Sequence, residues 1–405
     1  MHKIRILWLC NFYNAEIQSF LPLWKNISEL ASWIPNSLRG FEDRQDIEMH
    51  VIAPHHYLKR TTYVQLRNIN YYFIPIGIPV FHKSWPRYFQ YDVLSDFHSF
   101  RNPAKKLVKK IEPDLINLIG AENCLYSTAI LDFKDQYPIL ITIQGFISQM
   151  KASIKMTTME KKRIEIEELI LNSFKYFGGE QDSSNYISNY NKKHIFFKYY
   201  FPINEELALS TSETDQEIDC IYFGGLTKNK GAVDFIKVIS EVKRIKPDVK
   251  ACVIGGGNVK PLLSMAKKLK CLGNIKFTGF IATQNELFKQ VKTAKVFLAP
   301  PYFERLSSTI REAMFLKVPI VAYATGGIPY INEFDEIICL VQTGDYKGMA
   351  RRAIVLLEND ILRKNIAEKA YQYAIKEFAL TVNVERLVAT YKTIIDKEMN
   401  DNARK

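Results

Sequence analysis

This sequence predicts an α/β fold of two doubly wound parallel-sheet domains facing a cleft, and three observations lead there. In the second half, short apolar runs alternate with amphipathic stretches, and several of the runs end in glycines. The first half repeats that rhythm less clearly. The length, 405 residues, exceeds what one hydrophobic core usually organises. Strands alternating with helices imply a parallel sheet with right-handed crossovers, covered on both faces. Ligands of such sheets bind at the carboxyl ends of the strands, so both domains should face the cleft that way.

The elements follow in order. The first apolar run, 4–9, carries Arg5 and reads as a core strand rather than a signal peptide. Further strands are expected at 47–52, 115–119 and 139–143, with helices at 23–33 and 103–111. The aromatic, proline-broken stretch 71–91 fits no simple crossover. A polar segment of poor periodicity, 203–217, reads as the linker between halves. Then come a strand at 219–224 and a helix at 232–245 that Pro247 ends, followed by a strand at 249–254 closing on Gly255-Gly256-Gly257. A helix at 261–272, a strand at 275–277, a helix at 286–292 and a strand at 296–298 continue the alternation. A helix at 310–315 and a strand at 320–322 complete it. Beyond Ala350 the chain reads as helical, and the amphipathic stretch 384–399 is expected to return to the first domain. The expected divisions are 1–202, 203–383 and a returning helix in 384–405.

Bulk properties narrow the function classes. Hydrophobic residues at 47% and charged residues at 24% argue against disorder, and no apolar run is long enough to span a membrane. The six cysteines lack C-x-x-C spacing and several lie in apolar runs, which predicts buried, reduced thiols in a cytoplasmic protein. A net charge of +12 favours anionic partners such as phosphorylated substrates or an anionic membrane surface. Nucleic acid is not expected, because the charge is spread along the chain instead of forming one patch or stripe. Two local clusters, Lys105, Lys106, Lys109, Lys110 and Lys161, Lys162, Arg163, read first as solvated helix faces and second as membrane-docking sites.

Candidate chemistry concentrates in the second half. Gly224-Gly225 at a strand end lets backbone approach an anion, and Lys230-Gly231 stands just before the next helix. Together they offer N–H groups, a helix N-terminus and a cation to a diphosphate. The string lacks the G-K-[ST] ending of a Walker loop, and Lys260 stands where Gly255-Gly256-Gly257 would need its last dinucleotide-fingerprint glycine. Further on, Glu304 and Glu312 are separated by seven residues, with Ser307, Ser308 and Thr309 preceding an apolar helix. Those residues would form the positive end of a helix dipole, a seat for phosphate or a sugar hydroxyl. Thr309-Ile310-Arg311-Glu312 also matches a capping box, which would fix that helix start, and Glu304 alone reads as a loop carboxylate. Two carboxylates flanking a bond would also suit glycoside cleavage.

In order and spacing, residues 275–329 resemble the donor-binding half of glycosyltransferase family 4, retaining enzymes of the GT-B fold with two Rossmann-like domains. The matching strings are Glu304, Glu312-Ala313-Met314, Pro319-Ile320-Val321-Ala322 and Gly326-Gly327-Ile328-Pro329. Phe223-Gly224-Gly225-Leu226 with Lys230-Gly231 is similar to the family's V-G-R-L…K-G, so the resemblance covers roughly 219–390. It implies that Glu312 binds ribose hydroxyls and Glu304 the hexosyl hydroxyls, with Ser307, Ser308 and Thr309 near the sugar and diphosphate. Lys230 would neutralise the leaving diphosphate, assisted by Gly224, Gly225 and Gly256, while Phe280 and Ile281 would contact the base. No D-x-D string occurs, so no metal is implied, and no cofactor beyond the nucleotide-diphosphate sugar donor.

The resemblance has departures. The family's diphosphate arginine is Gly225 here, with Lys228 its nearest substitute. Asn11-Phe12-Tyr13 replaces the glycine-rich loop after the first strand, and the family's histidine string is Thr142-Ile143-Gln144-Gly145. Asn11, Phe12 and Gly145 are expected on the acceptor side, with Gln144 hydrogen-bonding the sugar in place of a base. The string also resembles a subgroup that assembles bacterial surface polysaccharides, capsule or exopolysaccharide. The expected function is a retaining hexosyltransferase acting on a glycan or polyprenyl-diphosphate-linked oligosaccharide, peripheral to the inner face of the cell membrane. The alternatives are a non-catalytic GT-B-like partner that binds nucleotide or glycan, and a nucleotide-sugar epimerase.

Overall fold

The computed structural model describes residues 3–12, 15–21, 33–77, 91–150, 156–212 and 214–403. The chain forms two units, Met1–Phe201 with Asn383–Lys405, and Pro202–Val382. In the first unit the strands are β1 (Ile4–Leu9), β2 (Ile47–His55), β3 (Thr62–Leu66), β4 (Ile69–Pro75), β5 (Leu115–Ile119), β6 (Ile139–Thr142), β7 (Tyr176–Gly179) and β8 (Ile195–Lys198). They lie in the order β3-β4-β2-β1-β5-β6-β7-β8, all parallel except the β3–β4 pair. Residues Ile6 to Leu9 of central β1 are fully buried, as a strand covered on both faces requires.

One sequence reading needs correction here. The aromatic stretch begins as a regular strand: β4 alternates buried Tyr71 and Phe73 with half-buried Asn70 and Tyr72, and pairs with β3 through a two-residue turn. That turn was illegible because Arg67 takes the left-handed conformation, φ 52°, where glycine or asparagine would normally advertise it. Its guanidinium is held by Glu16 at 2.9 Å and Glu42 at 3.0 Å. The rest of the stretch, 78–90, lies outside the described residues. So does the helix expected at 23–33, apart from Trp33, which opens the helix Trp33–Arg39.

The last helix, Leu380–Ala403, lies with the first unit from Asn383 onward. The buried Tyr391 hydroxyl accepts hydrogen bonds from Trp8 Nε1 at 2.8 Å and Asn117 Nδ2 at 2.9 Å. Asn117 Oδ1 in turn accepts from Thr142 Oγ1 at 2.8 Å, so one polar chain ties this helix to β1, β5 and β6. A buried network of this kind is stable only when every member is paired, and these members are.

The second unit holds β9 (Ile218–Phe223), β10 (Ala251–Ile254), β11 (Ile275–Gly279), β12 (Ala294–Ala299), β13 (Ile320–Tyr323) and β14 (Cys339–Val341). All are parallel, in the order β11-β10-β9-β12-β13-β14. Counted from β9 this is the 3-2-1-4-5-6 order of a doubly wound nucleotide-binding sheet. The segment read as a linker contains a helix, Glu205–Ser210, whose start Asn204 Oδ1 caps by accepting from Leu207 N at 3.3 Å. Glu205 then accepts from Leu380 N at 2.8 Å, and Lys292 Nζ donates to the Thr211 carbonyl at 2.7 Å. The segment therefore packs as part of the second unit.

All six cysteines are buried and free, and burial pushes every one of their thiols up from the ordinary value. Among the described residues no helix is long and apolar enough to cross a membrane.

Candidate active site

In the second sheet the strand order reverses between β9 and β12, and a crevice opens there beyond their carboxyl ends. A pocket of ≈ 280 Å³ occupies this position. Its lining includes Gly224 and Gly225 from the β9 end, Lys230, Glu304, and Ser307, Ser308 and Thr309. These residues come from the loops after β9 and β12, and contacts between them and with a third loop hold the arrangement.

The first loop, after β9, is braced from beneath. The buried Tyr222 hydroxyl donates to the Gly225 carbonyl at 2.7 Å and lies 3.4 Å from that of Lys230. Gly231, at φ 74°, then opens the helix Ala232–Ile245. A Cβ at Gly231 would overlap the carbonyl of Pro300, so only glycine allows this loop to press on the loop after β12. Tyr302 N donates to the Asn229 carbonyl at 2.8 Å and completes the junction. The Lys230 ammonium consequently pairs with Glu304 Oε2. Lys230 remains 43% exposed and Glu304 15% exposed, so the cation is the more accessible partner.

The third loop, after β13, is the Gly326-Gly327 turn. Gly326 sits at φ 55°, and a Cβ there would overlap the Glu304 carbonyl. The turn thus fixes the backbone beneath Glu304 from the other side.

The helix Ser308–Phe315 points its N-terminus at the pocket, with Ser307 as its N-cap. The capping box is not formed. Thr309 lies inside the first turn, its hydroxyl 2.7 Å from Ser307 Oγ, and no side chain caps the helix. Glu312 falls in the second turn, where it is buried and accepts from Gln284 Nε2 at 3.3 Å. Burial raises its pKa to about 7, opposed by Arg311 and the Gln284 hydrogen bond. Its carboxyl group is therefore not a fixed anion near neutral pH.

The other candidates of this unit lie elsewhere. Glu312, Lys228, Gly256, Phe280 and Ile281 do not line the pocket. Lys228 is exposed in the turn before Lys230. Gly256 accepts from Leu226 N at 3.0 Å, and a Cβ placed on it would stand 3.7 Å from the ring of Phe280, which is 76% exposed. Gly256 and Phe280 thus share a surface at the ends of β10 and β11.

The first-unit candidates gather at the ends of its own central strands. Gln144 follows β6 and its Oε1 accepts from Trp33 Nε1 at 3.2 Å, while a Cβ on Gly145 would meet open space. The loop they begin is held by the fully buried Glu167, which accepts from Ile147 N and Ser148 N, each at 2.9 Å. Asn11 is half-buried after β1. Phe12 departs from the acceptor-side expectation. It is buried, with its ring stacked on Tyr71 at a centroid distance of 5.3 Å, so it serves the core.

Sequence reasoning missed Tyr222, Asp234, Tyr302 and Tyr323. The available signal was Asp234, an acid among apolar neighbours in a helix that otherwise buries that face. The basic clusters also divide. Lys105, Lys106, Lys109 and Lys110 are exposed on the helix His98–Ile111. Of these, Lys105 pairs with Asp132 at 3.1 Å; in the second cluster Lys162 and Arg163 are half-buried, Lys162 pairing with Glu165 at 2.9 Å and Arg163 Nε donating to the Glu122 carbonyl at 2.8 Å.

Two sheets of this class in one chain, one of them six-stranded and parallel in this order, are the architecture of the GT-B fold. Solved structures carry the same fold. Sucrose-phosphate synthase from Thermosynechococcus elongatus superposes with TM-score 0.77 at 13% identity, over 98% of this chain and 100% of that one. HepE of Anabaena, solved with UDP-glucose, superposes with TM-score 0.67 at 16% identity, over 96% and 100%. Residues 204–373 match the family model described as Glycosyl transferases group 1. The N-acetyl-alpha-D-glucosaminyl L-malate synthase of Bacillus anthracis is 25% identical over 222 residues, 53% of this chain and 54% of that protein. The chain spans about half the length of the curated relatives it matches, or less. The family match thus lies within the second unit, and the chain as a whole shares the GT-B fold of these solved structures.

Proposed function

We propose that the chain is a retaining glycosyltransferase that moves a hexosyl unit from a nucleoside-diphosphate sugar to a glycan or lipid-linked oligosaccharide in bacterial polysaccharide assembly. The observation that carries this is the Lys230–Glu304 pair at the switch-point pocket, beside the N-terminus of the helix Ser308–Phe315. A cation and a helix N-terminus suit a departing diphosphate, and a carboxylate beside them suits sugar hydroxyls.

In this reading Gly224 and Gly225 let backbone approach the diphosphate, and Lys230 with the helix dipole meets the charge that grows as the glycosidic bond breaks. No metal is required for that step. Glu304 orients the hexosyl hydroxyls, and the leaving phosphate oxygen accepts the proton of the acceptor hydroxyl on the same face, so configuration is retained. A pocket of ≈ 280 Å³ suits the sugar and diphosphate alone. Gly256, Phe280 and Ile281 are the seat proposed for the base, and Glu312 for the ribose. HepE, solved with UDP-glucose, supports a uridine nucleotide sugar. The Bacillus anthracis relative, by its name, supports an N-acetylhexosaminyl variant of the transferred group. The exposed lysines of His98–Ile111 support peripheral contact with an anionic membrane at the cytoplasmic face.

The test is Lys230→Ala in a purified transfer assay, with an expected loss of ~10²–10³ in kcat. Unchanged transfer would sink the site assignment. A partner subunit without catalysis is the second reading, motivated by Gln144, a residue that cannot act as a base. It predicts nucleoside-diphosphate binding with no turnover on any acceptor.

A further inference from the structure

Beneath the pocket lies a carboxylate that the proposed chemistry leaves unused. Asp234 is 3% exposed, in the first turn of the helix Ala232–Ile245. Its Oδ2 accepts from Tyr302 Oη at 2.5 Å and from Tyr323 Oη at 2.9 Å, and its Oδ1 from Lys237 Nζ at 2.7 Å. Each donor comes from a different place. Tyr302 stands two residues before Glu304, Tyr323 ends β13 just ahead of the Gly326 turn, and Lys237 lies one turn along the same helix. The Tyr302 backbone also joins the structure on both sides, its N–H donating to Asn229 at 2.8 Å and its carbonyl accepting from Thr325 Oγ1 at 3.3 Å.

We infer that Asp234 is a positioning residue of the active site: through Tyr302 it sets the loop that carries Glu304 against the loop that carries Lys230. The physical reason is that a buried carboxylate without donors is costly, so Asp234 holds its tyrosines firmly. Tyr302 is itself 44% exposed, and apolar burial alone does not pin it. Without the hydroxyl–carboxylate bond, the segment from Pro301 to Glu304 keeps its backbone ties but loses the one anchored to the helix. Small displacements matter here, since reacting groups tolerate little misplacement before rate is lost. Tyr323 reaches the same oxygen from β13, a strand that packing already holds, so its hydroxyl adds stability without aiming Glu304. The two tyrosines therefore make an internal control.

This inference rests on the proposed transferase reading, and the test separates the two. Steady-state kinetics with a nucleotide-sugar donor and crystal structures are compared for wild type, Tyr302→Phe, Tyr323→Phe and Asp234→Asn. Tyr302→Phe and Asp234→Asn are expected to lower kcat by roughly 10- to 100-fold with donor KM within about three-fold, the signature of lost positioning. Tyr323→Phe is expected to keep kcat within about two-fold while lowering Tm. In the Tyr302→Phe crystal, Glu304 should no longer reach Lys230. Equal kcat losses for the two tyrosine variants, or an intact Lys230–Glu304 pair in Tyr302→Phe, would overturn the positioning role. If wild type itself shows no turnover, the transferase reading fails alone, and the crystal structures still decide whether Asp234 sets the pair.

Discussion

Glu304→Gln is predicted to bind nucleoside diphosphate more tightly than wild type while transferring sugar more slowly. In the free protein the Glu304 carboxylate occupies the Lys230 ammonium, so in the proposed function an incoming diphosphate must displace it and then sit beside a like charge. Lys230 is 43% exposed and Glu304 15%, which makes this a partly solvated pair rather than a buried one. Pairs of that kind contribute about 0.2–1 kcal/mol, so relieving the competition tightens diphosphate binding by roughly 1.4- to 5-fold. Turnover moves the other way. Losing a charged hydrogen-bond acceptor for sugar hydroxyls costs about 1.5–3 kcal/mol, or roughly 10- to 150-fold in kcat/KM. Titration calorimetry with UDP at low and high salt reads the first effect, and the gain should shrink as salt screens the pair. Binding that is unchanged or weaker at low salt would refute the competition between Glu304 and the diphosphate for Lys230.

Because burial raises the Glu312 pKa from 4.5 to about 7, the folded state holds a proton that the unfolded state has released across that window. Stability from this group is full below about pH 4.5 and declines until about pH 7, a cost on the order of 3 kcal/mol. Glu312→Gln should therefore be stabilised relative to wild type at pH 8 and lose that advantage near pH 4.5, read by urea melts; a pH-independent difference contradicts this. Gly326→Ala forces a Cβ toward the Glu304 carbonyl, so transfer should fall by roughly ten-fold or more, a result that unaltered kinetics would exclude. Glu167→Ala strands two N–H groups that its carboxylate serves and should destabilise the protein by about 2–5 kcal/mol in chemical denaturation. A loss under 1 kcal/mol would mean that water replaces the carboxylate.

The second unit was largely legible because its strands are short apolar runs closed by glycine, a pattern set by burial on both faces. β14 was missed, since Cys339–Val341 is too short to show a period. The first unit hid its hairpin behind Arg67, whose left-handed backbone is held by two glutamates that no local rule anticipates. The Glu205–Ser210 helix was hidden because polar residues surround it and its partners lie far along the chain. At the site, the glycines and Glu304 were visible as a spaced pattern, whereas the pairing of Glu304 with Lys230 spans 74 residues and follows only from strand order. The capping-box string misled for a related reason. Thr309 and Glu312 have the right spacing, but the helix begins at Ser308, so the threonine never occupies the cap.

The most direct test of the account is a product assay: the protein is offered mixed nucleotide sugars with a membrane lipid extract, and products are read by mass spectrometry and NMR. The prediction is a glycosylated acceptor whose anomeric configuration matches the donor, formed by wild type and lost in Lys230→Ala. An inverted linkage, an epimerised nucleotide sugar without acceptor, or nucleotide binding with no product would contradict it.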